Sequence, residues 1–392
     1  MMRRLRSRGV FVGLILAFAL VAAACADDTP ADTTTAAPPA TTAAPAPTTT
    51  TAAPVVTAAP ETTTTLPPPL EFAVCQVSDT GGIDDKSFNE TAFLGATRAV
   101  EEIAGVTEAK FLESQSPADF RPNIDAFIDQ GCDLIVTVGF LLADDTAAAA
   151  QDNPDQLFAI IDFPGLEENI RGIGFATEEA AFLAGYLAAA VSQTGIVGTF
   201  GGINIPPVTV FMDGFFYGVQ RYNEDKGASV EVLGWDPENP DSGLFTGNFE
   251  STDDGLTFGQ NLIDEGADVL LPVAGPVGLG TAQAALDNPG VLMIGVDADQ
   301  FNSAPSEFQG VWLTSILKRM DNAVLATVKN VVTLGVLGNP YNGTLANEGV
   351  GIAEFHDLAG SVSAELAAEI DALRAGIIDG SVIVVPATDD DS

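Results

Sequence analysis

The sequence of 392 residues holds one histidine, His356. That residue lies in a loop-like stretch, 354–357, with no serine and aspartate arranged around it as a nucleophilic triad, and it reads as a surface residue. Cysteine is nearly as scarce, and three scattered cysteines with one histidine make no zinc-type cluster. Basic residues are few: fifteen Lys and Arg face fifty-four Asp and Glu, for a formal charge of −39. A nucleic-acid binder carries a basic face, so the balance argues against one. The same acidity repels polyanions and favours a neutral or cationic ligand. The acid-rich stretch 236–254 lacks the Asp-x-Asp-x-Asp-Gly spacing of a calcium loop, and the glycines of 275–280 are spaced in reverse of the dinucleotide fingerprint. No pair of carboxylates is singled out as acid and base. These absences argue against an enzyme and predict neither cofactor nor metal.

What is present begins with a leader. Arg3, Arg4, Arg6 and Arg8 precede an apolar run, 10–24, of signal-peptide length and too short for a comfortable membrane span. It ends in Val21-Ala22-Ala23-Ala24-Cys25, which resembles a lipobox in which Cys25 is acylated and becomes the first mature residue. Ala22 stands where a large aliphatic residue is usual, so an ordinary signal peptide is the alternative. Residues 26–69 are almost entirely Ala, Thr and Pro. Such a segment cannot bury a core and reads as a disordered tether. The expected organisation is therefore a lipoprotein signal over 1–25 and a linker over 26–69. A first lobe follows over 70–176 with part of 301–340, then a second over 177–300 with part of 341–392.

From residue 70 onward, short apolar runs alternate with helix-like segments. Strands are expected at 72–77, 134–138, 157–161, 170–175, 196–200, 229–235, 269–273 and 293–296, and a closing strand at 382–385. Helices are expected between them, among others at 91–103, 208–223, 281–287 and 320–334. This alternation predicts an α/β fold of two Rossmann-like lobes with parallel sheets, joined by a hinge. Crossings between lobes are expected near 175–177, near 299–305 and after Lys318. Cys75 falls in the first strand and Cys132 opens the 134–138 strand. Outside the cell a disulfide between these neighbouring strands is one reading and two free thiols the other.

The stretch Asp79-Thr80-Gly81-Gly82-Ile83-Asp84-Asp85-Lys86-Ser87-Phe88-Asn89 links the first strand to the first helix. Ligands of open α/β sheets bind outside the carboxyl ends of strands. The glycine pair permits a tight turn, Ser87 or Asn89 caps the helix, and Phe88 is either a core plug or a stacking platform. Gly139 and Asp162 end two further strands at positions suited to a site. The loop 236–249, rich in Pro, Gly and Asn, is of a length that is functional more often than idle.

With this stretch and with Gly131-Cys132-Asp133-Leu134-Ile135, Phe182-Leu183-Ala184-Gly185-Tyr186, Gly295-Val296-Asp297-Ala298-Asp299-Gln300 and Lys318-Arg319, the chain resembles the basic membrane protein family. These are ABC-transporter lipoproteins, the PnrA-like receptors for purine nucleosides. The resemblance implies a type I periplasmic-binding-protein fold with a nucleoside held between lobes. Phe88 and Phe211 match the positions that sandwich the base, and Asp297 and Lys318 those that hold the ribose hydroxyls. Asp79 and Asn89 match polar positions near sugar and base. Asp162 is a candidate for the base edge, and Gly275 allows close backbone approach. Read by themselves, Phe211 is also a core residue at helical spacing with Phe215, Asp297 a turn cap, and Lys318 a solvated lysine at a helix start.

The expected protein is thus an extracytoplasmic receptor, lipid-anchored through Cys25, that closes on a nucleoside and presents it to an ABC permease. A sensor for another small polar solute, a sugar or a quorum signal, is the alternative on the same fold.

Overall fold

The computed structural model describes residues 71–386. The expected signal segment with Cys25, the segment 26–69 and the acidic tail lie outside the described residues.

Strands form because the chain supplies unbroken apolar runs: β3 (Leu134–Val138) and β8 (Val269–Val273) are buried at every position. A strand covered on both faces needs such a run, and parallel sheets supply that environment. The first sheet contains β1 (Phe72–Val77), β2 (Val106–Leu112), β3, β4 (Leu157–Ile161), β5 (Ile170–Phe175) and β11 (Tyr341–Gly343), in the order β11-β5-β4-β3-β1-β2. The second contains β6 (Ile196–Gly201), β7 (Glu231–Leu233), β8, β9 (Leu292–Asp297), β10 (Trp312–Lys318) and β12 (Val350–Ile352), in the order β12-β10-β9-β8-β6-β7. Exchanging β1–β5 and β11 for β6–β10 and β12 converts one order into the other, so the two halves share one topology. Pairing is parallel except between β10 and β12. The β8–β9 ladder stops at Leu270–Met293, two residues before Pro272, which has no N–H to donate.

The helices are α1 (Phe88–Glu102), α2 (Phe120–Asp129), α3 (Ala143–Asp152), α4 (Thr177–Val191), α5 (Pro206–Lys226), α6 (Thr252–Asp264), α7 (Val277–Asp287), α8 (Gln300–Ser303), α9 (Met320–Leu334) and α10 (Ala364–Asp379). Apolar residues surround α4 on nearly all sides, and it is accordingly buried. It packs on α5 at very close range. A Cβ on Gly185 would sit 2.1 Å from the Phe215 carbonyl oxygen, and one on Gly218 would sit 2.1 Å from that of Phe182. Only glycine permits that approach.

Among the described residues the chain passes between the sheets three times: from β5 into α4, from β10 into α9, and from β11 to β12. The helix α9 thereby leaves the second half to pack on α1 of the first, with Gly95 against the Asp321 backbone. The crossing expected at 299–305 is absent. That stretch joins β9 to β10, which are neighbours in the same sheet. The strand β10 itself was not anticipated, because Thr314, Ser315 and Lys318 break its apolar pattern. All three are buried as polar groups. The strand expected at 382–385 is also absent: Val382 donates its N–H to the Gly376 carbonyl and folds back against α10 instead. The loop 236–249 is anchored as an edge to β6, with Thr246 N donating to Gly201 O and Gly247 N to Gly202 O.

Cys75 and Cys132 are joined by a disulfide between Cα atoms 6.1 Å apart. It staples β1 to the turn entering its neighbour β3.

Candidate functional site

A cavity of about 600 Å³, its mouth included, opens at the carboxyl ends of both sheets. Asp79, Phe88, Asn89, Gly139 and Asp162 reach it from the first half; Phe211, Gly275, Asp297 and Lys318 reach it from the second. All nine residues singled out in the sequence therefore meet at one place.

The loop after β1 is held by its own acids. The Asp85 carboxylate accepts backbone N–H groups from Ser87 (3.0 Å), Asn89 (2.7 Å) and Glu90 (3.1 Å). It thus caps α1, where unpaired N–H groups await acceptors. Ser87 occupies the cap position but makes no side-chain cap bond, contrary to expectation. The amide of Asn89 gives one hydrogen to Asp85 (3.0 Å) and the other to Asp79 (2.8 Å). Gly81 N also donates to Asp79, at 3.2 Å. Phe88 is consequently the first residue of α1, fixed in place rather than adrift at a loop tip.

The second half contributes groups at strand ends. Lys318 is the last residue of β10, not a solvated lysine at a helix start, and its side chain is 2% exposed. Its Nζ donates to Asp162 Oδ2 at 2.6 Å, from one half to the other. The same Nζ lies 4.9 Å from the Phe88 ring centroid and 5.8 Å from that of Phe211, within cation–π range of both. Asp297 ends β9 and accepts the Ser87 hydroxyl at 2.8 Å, again across the halves. Phe211 is both things the sequence allowed: it packs in the core beside Phe215 and it lines the cavity.

Four carboxylates (Asp79, Asp85, Asp162 and Asp297) surround one lysine in this lining. Burial pushes Asp79 up to about 6, against the hydrogen bonds from Asn89 and Gly81 that lower it. Burial pushes Asp85 up to about 7, against the three N–H groups it caps. Asp297 is raised to about 6 by burial, with Lys318 and Ser87 pulling the other way. A free oxygen remains on each of Asp79, Asp162 and Asp297, so the cavity is supplied mainly with hydrogen-bond acceptors. Its apolar wall comes from Phe88, Phe211, Phe140, Phe249, Pro207 and Val208.

Asp85, Phe140 and Phe249 were not among the expected site residues. Asp85 lies in the loop 79–89, two residues before the cap position Ser87, and no cap rule reaches that far; only the fold of the loop brings its carboxylate to the first N–H groups of α1. Phe249 closes the loop whose length had marked it as functional. His356, expected at the surface, is half-buried away from the cavity, stacked 4.1 Å from Phe301 and paired with Asp299 at 2.8 Å. Among the described residues no group of His, Cys, Asp and Glu is arranged to hold a metal ion.

Comparison with known proteins agrees with this architecture. Residues 72–388 match the family model described as ABC transporter substrate-binding protein PnrA-like. Basic membrane protein A of Borreliella burgdorferi is 31% identical over 311 residues, covering 78% of this chain and 85% of that protein. A CD4+ T-cell-stimulating antigen of Listeria monocytogenes is 28% identical over 334 residues, covering 80% of this chain and 88% of the antigen. The crystal structure of an ABC transporter solute-binding protein from Aeropyrum pernix K1 superposes with a TM-score of 0.71 at 28% identity, over 81% of this chain and 95% of that one. With the site at the meeting of two matched halves and the family model spanning both, the chain belongs to the PnrA-like family of ABC transporter substrate-binding proteins, which bind solutes and are not enzymes.

Proposed function

We propose that this protein is an extracytoplasmic receptor, anchored by lipid on Cys25, that binds a purine nucleoside between its two halves and delivers it to an ABC permease. The observation that carries the reading is the joint presence, in one cavity, of an aromatic ring from each half and of Asp297 with Lys318 at adjacent strand ends. Phe88 and Phe211 offer apolar faces to a flat base, and each base–aromatic stack is worth about 1–3 kcal/mol. Asp297 accepts sugar hydroxyls and Lys318 donates to them, in charge-assisted bonds stronger than neutral ones. The surplus of carboxylates repels phosphate, which favours the nucleoside over the nucleotide.

Closure follows hinge logic. A solute that touches both halves stabilises the closed form by its differential contacts. The lipid reading rests on Val21-Ala22-Ala23-Ala24-Cys25 and on relatives named as lipoproteins, such as one from Pyrococcus furiosus that is 33% identical over 270 residues. The test is a thermal-shift panel of inosine, guanosine, adenosine, uridine, free bases, ribose and arabinose on the purified protein. A ligand of the native state raises the melting temperature. Nucleosides alone are expected to do so. A shift with sugars and none with nucleosides would replace this reading by that of a sugar receptor or sensor. Loss of labelled-palmitate incorporation in Cys25→Ala tests the anchor.

A further inference from the structure

We propose that Phe175 is a positioning residue: its ring holds the Lys318 ammonium at the cavity while the two halves rotate about their hinge. The inference deepens the nucleoside reading and rests on it for the ligand used in its binding test.

Lys318 ends β10 and Phe175 ends β5, so each is the last strand residue before the chain crosses from one half to the other. The Lys318 Nζ lies 5.4 Å from the Phe175 ring centroid, within cation–π range. Phe175 packs against the core of each half and stands outside the cavity lining. It reaches the lysine without entering the space a solute fills.

The three crossings are tied together around this ring. Ala176 N donates to Gly343 O at 2.7 Å and Arg319 N to Gly349 O at 2.9 Å, which joins the first and second crossings to the third. Gly343 lies on the ring: a Cβ there would be 2.5 Å from it, so only glycine lets the backbone come this near. Tyr341, two residues earlier, meets the same ring edge to face with centroids 5.8 Å apart. Phe175 therefore sits at the hinge, and groups beside a hinge shift little when the halves swing.

The other partners of the lysine are placed differently. Asp162, which accepts from Nζ at 2.6 Å, and Phe88, 4.9 Å away, belong to the first half and withdraw from Lys318 as the cleft opens. Phe211 moves with Lys318, but it lies 5.8 Å away and its face is the one offered to the solute. Of these rings, Phe175 stays beside the ammonium in the open and the closed form and is not covered by a base. A lysine loses more side-chain freedom than most residues when it is fixed. A ring that holds it beforehand spares that loss when the solute arrives.

Calorimetry with inosine on the full-length protein tests the role, using Phe175→Leu, Phe175→Tyr, Lys318→Met and the double variant Phe175→Leu/Lys318→Met. Leucine keeps apolar bulk between the two cores and removes the ring face; tyrosine keeps the face. Phe175→Leu is expected to weaken binding about fivefold, the order one cation–π contact supplies, and Phe175→Tyr to stay within about twofold of wild type. With Lys318→Met already in place, Phe175→Leu is expected to cost no further affinity. Unchanged affinity in Phe175→Leu, equal losses in both backgrounds, or a tyrosine variant as weak as the leucine one overturns the proposal. Urea unfolding of the same ligand-free variants reads the contact without any solute, and it decides where Lys318→Met binds too weakly to measure. The double variant is expected to be more stable than the summed single losses, and strict additivity overturns the proposal. Non-additive urea losses in a protein that binds no inosine overturn the nucleoside reading and leave the hold of Phe175 on Lys318 standing.

Discussion

Asp162 and Asp297 are counterparts in the two halves of the molecule. Asp162 directly follows β4 and Asp297 ends β9, strands that hold the same place in their sheets. Both adopt a left-handed backbone, with φ of 66° and 67°. Such a conformation is uncommon outside glycine and costs of order 1–3 kcal/mol when the surroundings impose it. Each accepts a hydrogen bond from the opposite half: Asp162 from Lys318 and Asp297 from Ser87. Strain at matched positions, combined with bonds that cross the cleft, makes these aspartates matched links between the halves, beside the bond from Ser303 Oγ to the Lys86 carbonyl at 2.7 Å. Groups expected to hold a solute thus also tie one half to the other.

Phe88 offers the cleanest test of stacking, because it lines the cavity without being fully buried. Phe88→Ala is expected to weaken nucleoside binding at least about tenfold, the loss of one base–aromatic stack. Phe211→Ala is expected to do the same. It also removes a core side chain, which costs about 3–5 kcal/mol of stability. Calorimetry on Phe88→Ala with unchanged affinity ends the stacking account.

Lys318→Met leaves Asp162 and Asp297 buried with no cation between them. Breaking a buried ion pair by removing one partner destabilises by about 3–5 kcal/mol. Adding Asp162→Asn removes one of the stranded carboxylates, so the double variant is expected to be more stable than the sum of the two single losses. Urea unfolding of the three variants measures the coupling, and strict additivity contradicts the ion pair.

The fold was legible wherever apolar runs were unbroken. The strands β3, β4, β8 and β9 stood out because both their faces are buried, which leaves no alternation to confuse. The strand β10 was missed because it carries Thr314, Ser315 and Lys318 inward, where each finds a function or a partner that its composition does not announce. Ser315 Oγ accepts from Gln300 N, and Thr314 Oγ1 donates to Ala353 O. Missing that strand displaced one hinge to 299–305. At the site, the residues carried by the family resemblance came together in one cavity, since strand-end positions are fixed by topology. Phe249 stayed hidden because its place depends on a loop folding back onto Gly201 and Gly202, and no periodicity records that.

Asp79, Asp85 and Asp297 give the ligand-free protein a pH dependence of stated sign. Their folded values, about 6, 7 and 6, lie above the ordinary carboxylate range because burial disfavours the charged form. The folded state therefore binds protons that the unfolded chain releases. Their contribution to stability is fully present only below the unfolded value of about 4 and is lost as pH rises through 6 to 7. The melting temperature is expected to climb as pH falls from 8 to 5, because stability rises by at most about 1.4 kcal/mol per pH unit for each group. Relief of surface repulsion acts in the same direction, so the variant decides. Asp297→Asn is expected to flatten the profile, while Asp371→Asn, at an exposed position, leaves it unchanged. Parallel profiles for both variants exclude Asp297 as a source.

The disulfide between Cys75 and Cys132 closes a loop spanning 57 residues of sequence. Cross-linking a chain over that distance restricts the unfolded ensemble and is worth about 4 kcal/mol on the loop-entropy account. Both cysteines are buried in the first half, among Phe120, Ile124 and Ile135. Replacing both with alanine therefore removes the constraint while leaving an apolar environment that tolerates the change. The variant is expected to unfold at lower urea with a larger loss of stability than the cavity left by two sulfur atoms accounts for. Nucleoside affinity is expected to be nearly unaffected at temperatures where the protein is folded, because the bridge lies behind β1 and outside the cavity lining. A double variant as stable as the parent refutes the unfolded-state argument, and one that is stable but binds poorly shows that the staple positions Asp79 through β1.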